Sequence, residues 1–537
     1  MRVPNDLSEA RKDSAMSTPE TILETGASTS DVRVISHWID GAERPSSSGR
    51  TAPVFNPATG EVSAHVALAD DAEIAEAIAS AQRGFGVWSG FSIARRQAVL
   101  FAFRELLNAR KGELAEIITA EHGKVLSDAM GEIARGQEVV ELACGFPSLV
   151  KGAYSESVST GIDVYSLKQP LGVVGIISPF NFPAMVPMWF FPIAIAAGNA
   201  VVLKPSEKDP SAALWLADLW TQAGLPDGVF TVLQGDKAAV DGLLTSPVVQ
   251  SVSFVGSTPI AQYIYETASR HGKRVQALGG AKNHMLVLPD ADLDLVADQA
   301  VNAGYGAAGE RCMAISVVLA VEPVADELIR KISDRIGRLR IGDGAGIDGV
   351  EPDMGPLISD AHRQKVSSYV DIAEADGATI VVDGRDCRVE GREDGFFFGP
   401  TLLDGLPTTS RAYTEEIFGP VLSIVRIASY DEGVALINSG QFGNGTAIFT
   451  NDGGAARRFQ TEVQVGMIGI NVPIPVPVAY HSFGGWKQSL FGDAKAYGAH
   501  GFDFFTREKA ITSRWLDPAT RDHTAQGGID LGFPQNS

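Results

Sequence analysis

The alternation of short β-branched runs with helical segments constrains the fold of this chain more than any other feature. Runs typical of buried strands occur at 173–178, 200–203, 229–233, 251–256, 285–288, 316–321, 379–382, 423–427, 447–450 and 467–470. Segments with helical spacing of apolar residues lie between them. Strands that alternate with helices form parallel sheets covered by helices on both faces. The sequence therefore predicts an α/β fold with two doubly wound parallel sheets, the second beginning near residue 278.

Three segments outside this alternation also have a predicted structure. Apolar residues at helical spacing predict helices over 71–87 and 92–120, the first capped by Asp70 or Asp71. The segment 164–172 reads as an extended ribbon that could pair with a strand near the end of the chain. The first thirty residues lack the apolar run of a secretory signal and are acidic, which indicates a flexible extension.

Charge and cysteine content exclude several classes of function. The chain has 44 Lys and Arg against 65 Asp and Glu, a formal net charge of −21. We therefore expect no nucleic-acid partner and no membrane partner. The uncharged stretch 169–203 is interrupted by prolines, and its proline-free remainder is too short to cross a bilayer. Three cysteines make a disulfide framework improbable and favour a cytoplasmic location.

Two motif-like segments have simpler explanations than ligand binding. The segment 344–349, GAGIDG, matches a dinucleotide fingerprint but follows a helical pattern instead of a strand, so we predict a loop. The segment 290–298 has alternating acids but lacks the glycine and glutamate of an EF-hand. Asp290 or Asp292 is instead predicted to cap the next helix. We predict no metal site.

Cys312 is the cysteine with the most reactive local sequence. It lies among small residues in AAGERCMA, next to Arg311, whereas Cys144 lies in the apolar run VVELACGF. A neighbouring cation and an open environment favour the thiolate. The local sequence alone leaves both a structural and a catalytic role open.

Six segments, found in order from about residue 35 to residue 515, resemble the aldehyde dehydrogenase superfamily. They are PFNFP (179–183), LKPSE (203–207), SFVGS (253–257), GERC (309–312), EEIFGPV (415–421) and SFGGWKQS (482–489). The resemblance implies an NAD-dependent oxidoreductase in which Cys312 is the nucleophile. Asn181, with the backbone N–H of Cys312, would form the oxyanion hole; without the resemblance, Asn181 would be read as a loop-capping residue.

The resemblance also implies an NAD site at the carboxyl ends of the first set of strands. Its expected residues are Ser178 and Phe180 beside the coenzyme, Lys204 and Glu207 at the adenosine ribose, Gly256 and Ser257 at the pyrophosphate, Glu416 at the nicotinamide ribose and Phe418 packed against it. The simpler alternative for Lys204 and Glu207 is a solvated ion pair. The charge of Glu207 would repel a 2′-phosphate, which favours NAD over NADP.

One departure from the superfamily points to a particular branch. Hydrolytic members carry ELGG, whose glutamate activates water, but here Ala277 occupies that position. Without this base, hydrolysis should lose about 10²–10⁴-fold in rate, so the acyl thioester can await a thiol such as coenzyme A. Ala277, GAKNH (280–284) and FPAMVPMWFFPIA (182–194) resemble the CoA-acylating methylmalonate-semialdehyde dehydrogenases. The alternative is a hydrolytic, NAD-dependent aldehyde dehydrogenase that releases a free acid.

The branch also implies a substrate with a carboxylate close to its aldehyde. Arginine can bind a carboxylate through two parallel hydrogen bonds. By resemblance the arginines are Arg311, beside the nucleophile, and Arg135. Sequence alone would instead pair Arg135 with Glu132 or Glu138 on a surface helix. The products would be propanoyl-CoA from methylmalonate semialdehyde and acetyl-CoA from malonate semialdehyde.

Resemblance and patterning together divide the chain. The expected parts are a flexible extension (1–31), an NAD-binding domain (32–148 and 171–277), a catalytic domain (278–483), a small β ribbon for oligomerisation (149–170 and 484–520) and a C-terminal tail (521–537). The ribbon predicts a homo-oligomer, either a dimer or a tetramer.

Overall fold

The computed structural model describes residues 32–159, 161–346 and 349–515. Its strands, numbered in chain order, are β1 (Val34–Ile35), β2 (His37–Ile39), β3 (Ala42–Arg44), β4 (Thr51–Phe55), β5 (Val62–Ala67), β6 (Tyr154–Ser159), β7 (Ile162–Pro170), β8 (Val173–Ile177), β9 (Ala200–Lys204), β10 (Phe230–Val232), β11 (Val249–Val255), β12 (Arg274–Leu278), β13 (Asn283–Val287), β14 (Ile315–Val321), β15 (Thr379–Val382), β16 (Thr401–Asp404), β17 (Val421–Ile427), β18 (Phe442–Gly443), β19 (Gly445–Phe449), β20 (Met467–Ile470), β21 (Trp486–Lys487), β22 (Leu490–Phe491) and β23 (Thr506–Arg514).

The helices connect these strands. They are α1 (Asp71–Trp88), α2 (Ile93–His122), α3 (Leu126–Cys144), α4 (Met185–Ala197), α5 (Ser211–Gln222), α6 (Lys237–Thr245), α7 (Thr258–Arg270), α8 (Leu293–Tyr305), α9 (Ala325–Ile336), α10 (Asp360–Ala375), α11 (Arg411–Thr414), α12 (Tyr430–Ser439), α13 (Gly453–Glu462) and α14 (Gly498–Phe504), with 3₁₀ turns at Phe146–Ser148 and Gly306–Gly309. Asp70 caps α1 with Glu73 as its capping-box partner, and Asp292 caps α8. Both expected caps are confirmed.

The first large sheet has eight strands in the order β22-β12-β11-β8-β9-β10-β2-β3. Its central strands β12, β11, β8, β9 and β10 are parallel, and the outer strands β22, β2 and β3 pair antiparallel. The four strands predicted between 173 and 256 are confirmed here. Strand β12 was not predicted, because Arg274 and Gln276 interrupt its apolar pattern. Strand β22 shows that the 484–520 segment also contributes to this sheet and is not a ribbon throughout.

The second large sheet has seven strands in the order β15-β16-β17-β14-β13-β19-β20. All of its pairs are parallel except β15 with β16. The six strands predicted after residue 278 are all present. Strand β16 was not predicted, since its four residues carry too short an apolar run. The predicted fold class, with two parallel-sheet units, is confirmed.

A three-stranded ribbon of β23, β7 and β6 completes the main architecture. Strand β7 pairs antiparallel with β23 along its whole length, from Pro170 opposite Thr506 to Ile162 opposite Arg514. The expected pairing of the 164–172 segment with a late strand is confirmed. Smaller sheets join β1, β5 and β4, and β18 with β21.

Helix α4 explains the uncharged stretch 169–203. Every residue of this 13-residue helix is buried, and it packs against α2, α3, β8 and β9. Apolar residues around a whole helix indicate a position in the protein core. Across the described residues, no helix has the length and apolar character needed to span a membrane. The described part of 344–349 is a loop after α9.

Candidate active site

Cys312 lies on the wall of a cavity of about 560 Å³. Arg135 and Arg311 lie on the same wall, together with the carboxylate residues Asp128 and Glu132. The apolar part of the wall is formed by Phe182, Met185, Trp189, Ile474, Val476 and Phe483. A cavity that is mostly apolar with a few charged groups around a nucleophile can hold a small organic acid in one orientation.

The backbone around Cys312 is held by side-chain amides from distant strands. Asn283 Nδ2 and Asn444 Nδ2 donate to the Cys312 carbonyl oxygen at 2.9 and 3.1 Å. Ala307 and Ala308, in the preceding 3₁₀ turn, have φ of 49° and 52°. Such left-handed alanines cost about 1–2 kcal/mol each and persist only where the surrounding structure fixes them. The nucleophile loop is therefore rigidly defined.

The Cys312 thiol is less acidic than its sequence suggested. Burial, with a smaller contribution from the charge of Glu416, raises the pKa of Cys312 to about 12. Arg311 lowers that pKa only weakly, since its Nη2 donates to Asp128 Oδ1 at 2.6 Å. The charge of Arg311 favours the thiolate as expected, but desolvation of the buried thiol outweighs it.

Asn181 lies beside the nucleophile loop. Its Nδ2 donates to the Glu310 carbonyl oxygen at 2.9 Å, and the side chain is buried. Its backbone oxygen accepts a hydrogen bond of 2.6 Å from Lys124 Nζ. Lys124 in turn forms an ion pair of 2.7 Å with Glu132. Sequence reasoning missed Lys124 entirely, because no local pattern marks it.

Arg135 forms the helix pair that sequence alone favoured and also lies on the cavity wall. Its Nη1 donates to Glu138 Oε1 at 2.9 Å, which is the i,i+3 pair that sequence alone favoured. Its Nη2 donates to the carbonyl oxygens of Val476 and Pro477 at 3.1 and 3.0 Å. These bonds hold the guanidinium on the cavity wall, against the segment that follows β20. Glu132, the other candidate partner, pairs with Lys124 instead.

The expected coenzyme residues of the first sheet lie at the carboxyl ends of its strands. Ser178 follows β8, Lys204 ends β9, and Gly256 and Ser257 separate β11 from α7. Ser257 caps α7 through its backbone position, without a side-chain bond. This edge of an open parallel sheet is where such folds bind ligands.

Lys204 and Glu207 form an ion pair at this edge. Lys204 Nζ lies 3.0 Å from Glu207 Oε2, and the lysine is buried. Burial would raise the pKa of Glu207, but the charges of Lys204 and Lys208, with a backbone hydrogen bond, outweigh it and lower that pKa. The carboxylate is thus ionised and able to accept hydrogen bonds from hydroxyl groups.

Glu416 and Phe418 reach the same region from the loop between α11 and β17. Glu416 Oε1 accepts a hydrogen bond of 2.8 Å from the Ala281 N–H, and burial raises the pKa of Glu416 to about 7. The Phe418 ring packs edge-to-face on Phe180 with centroids 5.9 Å apart, and its carbonyl oxygen accepts from His362 Nε2 at 2.7 Å. The structure therefore brings both sets of expected coenzyme residues together.

These groups fit a dinucleotide. The buried Ser178 hydroxyl has no hydrogen-bond partner among the described residues, so it can serve a ligand. The first turn of α7 presents backbone N–H groups of the kind that bind phosphate. Within the described ranges, no cluster of His, Cys, Asp or Glu has the size needed to hold a metal ion.

Ala277 lies away from the cavity wall. It is fully buried in β12, between Phe254 and Phe491 of the neighbouring strands. The carboxylates that do line the 560 Å³ cavity, Asp128 and Glu132, are already paired with Arg311 and Lys124. Among the described residues, the cavity wall thus offers no uncommitted carboxylate to activate water.

Comparison with known proteins decides the family. The sequence profile of the aldehyde dehydrogenase family matches residues 44–511. The chain belongs to the aldehyde dehydrogenase family. The family inferred from the six segments is confirmed.

Among members of the aldehyde dehydrogenase family, several semialdehyde dehydrogenases are similar to this chain. The malonate-semialdehyde dehydrogenase of Pseudomonas aeruginosa is 53% identical over 487 residues, which cover 90% of this chain and 97% of that protein. The crystal structure of methylmalonate-semialdehyde dehydrogenase from Oceanimonas doudoroffii is 51% identical, with a TM-score of 0.89 and coverage of 91% and 100%. A Sinorhizobium meliloti structure, complexed with NAD and assigned as a methylmalonate-semialdehyde dehydrogenase, is 50% identical, with a TM-score of 0.89 and coverage of 91% and 99%.

Proposed function

We propose that this protein is an NAD-dependent, CoA-acylating dehydrogenase of methylmalonate semialdehyde and malonate semialdehyde. The observation that carries the proposal is the position of Arg135 and Arg311 on the wall of the Cys312 cavity. Two guanidinium groups beside a nucleophile suit an aldehyde that bears a carboxylate. The names of the similar proteins from P. aeruginosa and O. doudoroffii support the same substrates.

The chemistry begins at Cys312. The S–H bond breaks and its proton passes to solvent, Sγ forms a bond to the aldehyde carbon, and the carbonyl π electrons move to oxygen. Asn181 Nδ2 and the Cys312 backbone N–H donate to the resulting oxyanion, a kind of stabilisation whose loss costs about 10²–10³ in kcat. Arg135 and Arg311 hold the substrate carboxylate and so orient the aldehyde toward Sγ.

The coenzyme would lie at the carboxyl ends of the first sheet's strands, next to the loop between α11 and β17. Lys204 and Glu207 would hold the adenosine ribose, Gly256 and Ser257 the pyrophosphate, Glu416 the nicotinamide ribose, with Ser178, Phe180 and Phe418 packed beside it. When bound, NAD⁺ supplies the acceptor for the hydride that the Cys312 hemithioacetal loses. The NAD-complexed S. meliloti structure supports NAD as this coenzyme.

Transfer of the acyl group to coenzyme A is expected because Ala277 replaces the glutamate that would activate water. Loss of hydride leaves an acyl thioester on Cys312, which accepts the electron pair released when the neighbouring carboxylate departs as CO₂; a proton then completes the acyl chain. Ala277 cannot activate water, and Asp128 and Glu132 are engaged in ion pairs. The thiolate of coenzyme A then attacks the thioester and releases Cys312, giving propanoyl-CoA or acetyl-CoA.

The test is NADH formation from methylmalonate semialdehyde with and without coenzyme A, with the acyl product identified by mass. We expect steady turnover only with coenzyme A, and propanoyl-CoA as the product. A free acid formed at the same rate with and without coenzyme A would support the hydrolytic alternative and contradict the acyl-transfer step.

We further propose that residues 32–148 with 171–277 form the NAD-binding domain and that 278–483 form the catalytic domain. The ribbon of β6, β7 and β23 would join subunits into a dimer or tetramer. The exposed face of β6, including Tyr154, supports this assembly. With three cysteines and no disulfide among the described residues, we place the protein in the cytoplasm.

A further inference from the structure

A fully buried ion pair lies behind the candidate oxyanion site. Lys124 Nζ and Glu132 Oε2 are 2.7 Å apart, and both side chains have 0% exposure to solvent. Burying two charges is costly unless the pair is close and its remaining hydrogen-bonding groups are satisfied. Because well-packed apolar residues would avoid this cost, we expect the ion pair to have a role that such residues could not provide.

The remaining bonds of the pair all go to one turn of the chain. Lys124 Nζ donates to the Asn181 backbone oxygen at 2.6 Å. Glu132 Oε1 accepts from the Ala184 N–H at 2.8 Å and from the Met185 N–H at 3.0 Å, where α4 begins. The pair thus fixes the middle of the turn between β8 and α4 and the point where α4 begins. The Asn181 amide is then directed to the Glu310 carbonyl oxygen, 2.9 Å away, within the nucleophile loop.

The pair also joins this turn to the helix that carries the candidate substrate arginine. Glu132 and Arg135 are three residues apart on α3, and Lys124 lies two residues before that helix. Residues at this spacing lie on neighbouring positions of one helix face. The amide of Asn181 and the guanidinium of Arg135 are therefore positioned relative to the same rigid element.

We propose that Lys124 and Glu132 are positioning residues that set the Asn181 amide for the oxyanion. This inference rests on the function proposed above for Asn181. A displacement of about 1 Å in a catalytic group can cost about 10²-fold in rate. Loss of the pair should therefore lower the rate of the hydride-forming step by about 10- to 100-fold, through Asn181 and not through NAD binding.

The test replaces the pair without leaving a buried charge. The double variant K124M/E132Q keeps a side-chain carbonyl that can accept from Ala184 and Met185 but removes the bond to the Asn181 oxygen. We expect the burst rate of NADH formation to fall about 10- to 100-fold, while the Kd for NAD, measured by fluorescence quenching, changes less than about twofold. A burst rate equal to that of the unmodified protein would overturn the proposal.

A matched control is available in another buried lysine. Lys273 Nζ also donates to two backbone carbonyl oxygens, those of Ser246 and Val249, at the opposite end of β11. Lys273→Met should lower the thermal midpoint without changing the burst rate. Should it slow the burst as much as the double variant does, the effect would reflect general destabilisation and the positioning role would be refuted.

Coupling to Asn181 separates this inference from the proposed function. If Asn181→Ala leaves the burst rate unchanged, the oxyanion role itself fails. If Asn181→Ala slows the burst, adding K124M/E132Q to it should cause no further loss, because the pair acts through Asn181. Losses that multiply in the triple variant would overturn the positioning role alone.

A single substitution covers the case in which the double variant does not fold. Glu132→Gln keeps the number of heavy atoms, but its Nε2 hydrogens would face Lys124 Nζ and displace it from the Asn181 oxygen. We expect the burst rate to fall at least about threefold in folded protein. A folded Glu132→Gln variant with an unchanged rate would contradict the proposal.

Discussion

Replacing Arg135 with methionine should slow the oxidation of a carboxylate-bearing aldehyde much more than that of a plain aldehyde. A guanidinium has five N–H donors. Three are used by Glu138, Val476 and Pro477, which leaves Nε–H and one Nη1–H without a partner among the described residues. They lie on different edges of the guanidinium, since Nε–H is adjacent to Nη2, so a substrate carboxylate would take one of them.

The size of the effect follows from that one bond. Hydrogen bonds to a charged group contribute about 1.5–3 kcal/mol. The Arg135 side chain is 33% exposed and already paired with Glu138, so screening places the loss near the lower end of that range. A loss of about 1.5–2 kcal/mol corresponds to about 10- to 30-fold in kcat/KM. Propanal has no carboxylate, and its kcat/KM should change less than about twofold.

The assay compares kcat/KM for methylmalonate semialdehyde and propanal in both proteins by NADH absorbance. Arg104→Met is the matched control, because Arg104 is 29% exposed and pairs with Glu141 of the same helix α3 but lies outside the cavity. Arg104→Met should leave kcat/KM unchanged for both aldehydes. Equal losses for the two aldehydes in Arg135→Met would refute the carboxylate-binding role.

Four further substitutions test other parts of the site and fold. Cys312→Ala should abolish NADH formation while the thermal midpoint stays within a few degrees; residual steady turnover would exclude this nucleophile. Burial raises the pKa of Glu416 to about 7, so its carboxyl is neutral below that pH and ionised above it. The KM for NAD should therefore fall as pH rises through about 7, and Glu416→Gln should lose this dependence; the same pH profile in the variant would contradict the role. Gly309 has φ of +72°, and an added Cβ would lie 2.3 Å from the Gly419 carbonyl oxygen, so Gly309→Ala should lower both kcat and the urea midpoint. In contrast, Gly112 in α2 has nothing within 4 Å of an added Cβ, and Gly112→Ala should raise the free energy of unfolding by about 0.5–1 kcal/mol.

Much of the fold could be predicted because its central strands are buried on both faces. Such strands carry continuous β-branched runs, and each run at 173–178, 200–203 and 251–256 became a central strand. The missed strands lack that signal: β12 contains Arg274 and Gln276, whose partners come from other elements. A strand whose polar side chains bond to neighbouring elements lacks the continuous apolar run by which a buried strand is predicted.

The site was predicted unevenly for a similar reason. Residues that follow strands, such as Ser178 and Gly256, are placed by the topology of a parallel sheet. The acidity of Cys312 depended instead mainly on its burial, and Arg311 contributes little because it is paired with Asp128, 183 positions earlier in the chain. Lys124 was missed because its contacts with Glu132 and Asn181 exist only in the folded structure.

Helix α3 unites these features of the cavity. Asp128, Glu132 and Arg135 are spaced i, i+4 and i+7, so they occupy one face of the helix. Asp128 directs Arg311, Glu132 fixes the turn that holds Asn181, and Arg135 itself lines the cavity. One helix face thereby relates the arginines proposed to bind the substrate carboxylate to the amide proposed to stabilise the oxyanion. Because all three depend on the same rigid element, the distance between a substrate carboxylate held by the proposed arginines and the reacting carbonyl would be determined by α3. This distance would select aldehydes whose carboxylate lies close to the reacting carbon.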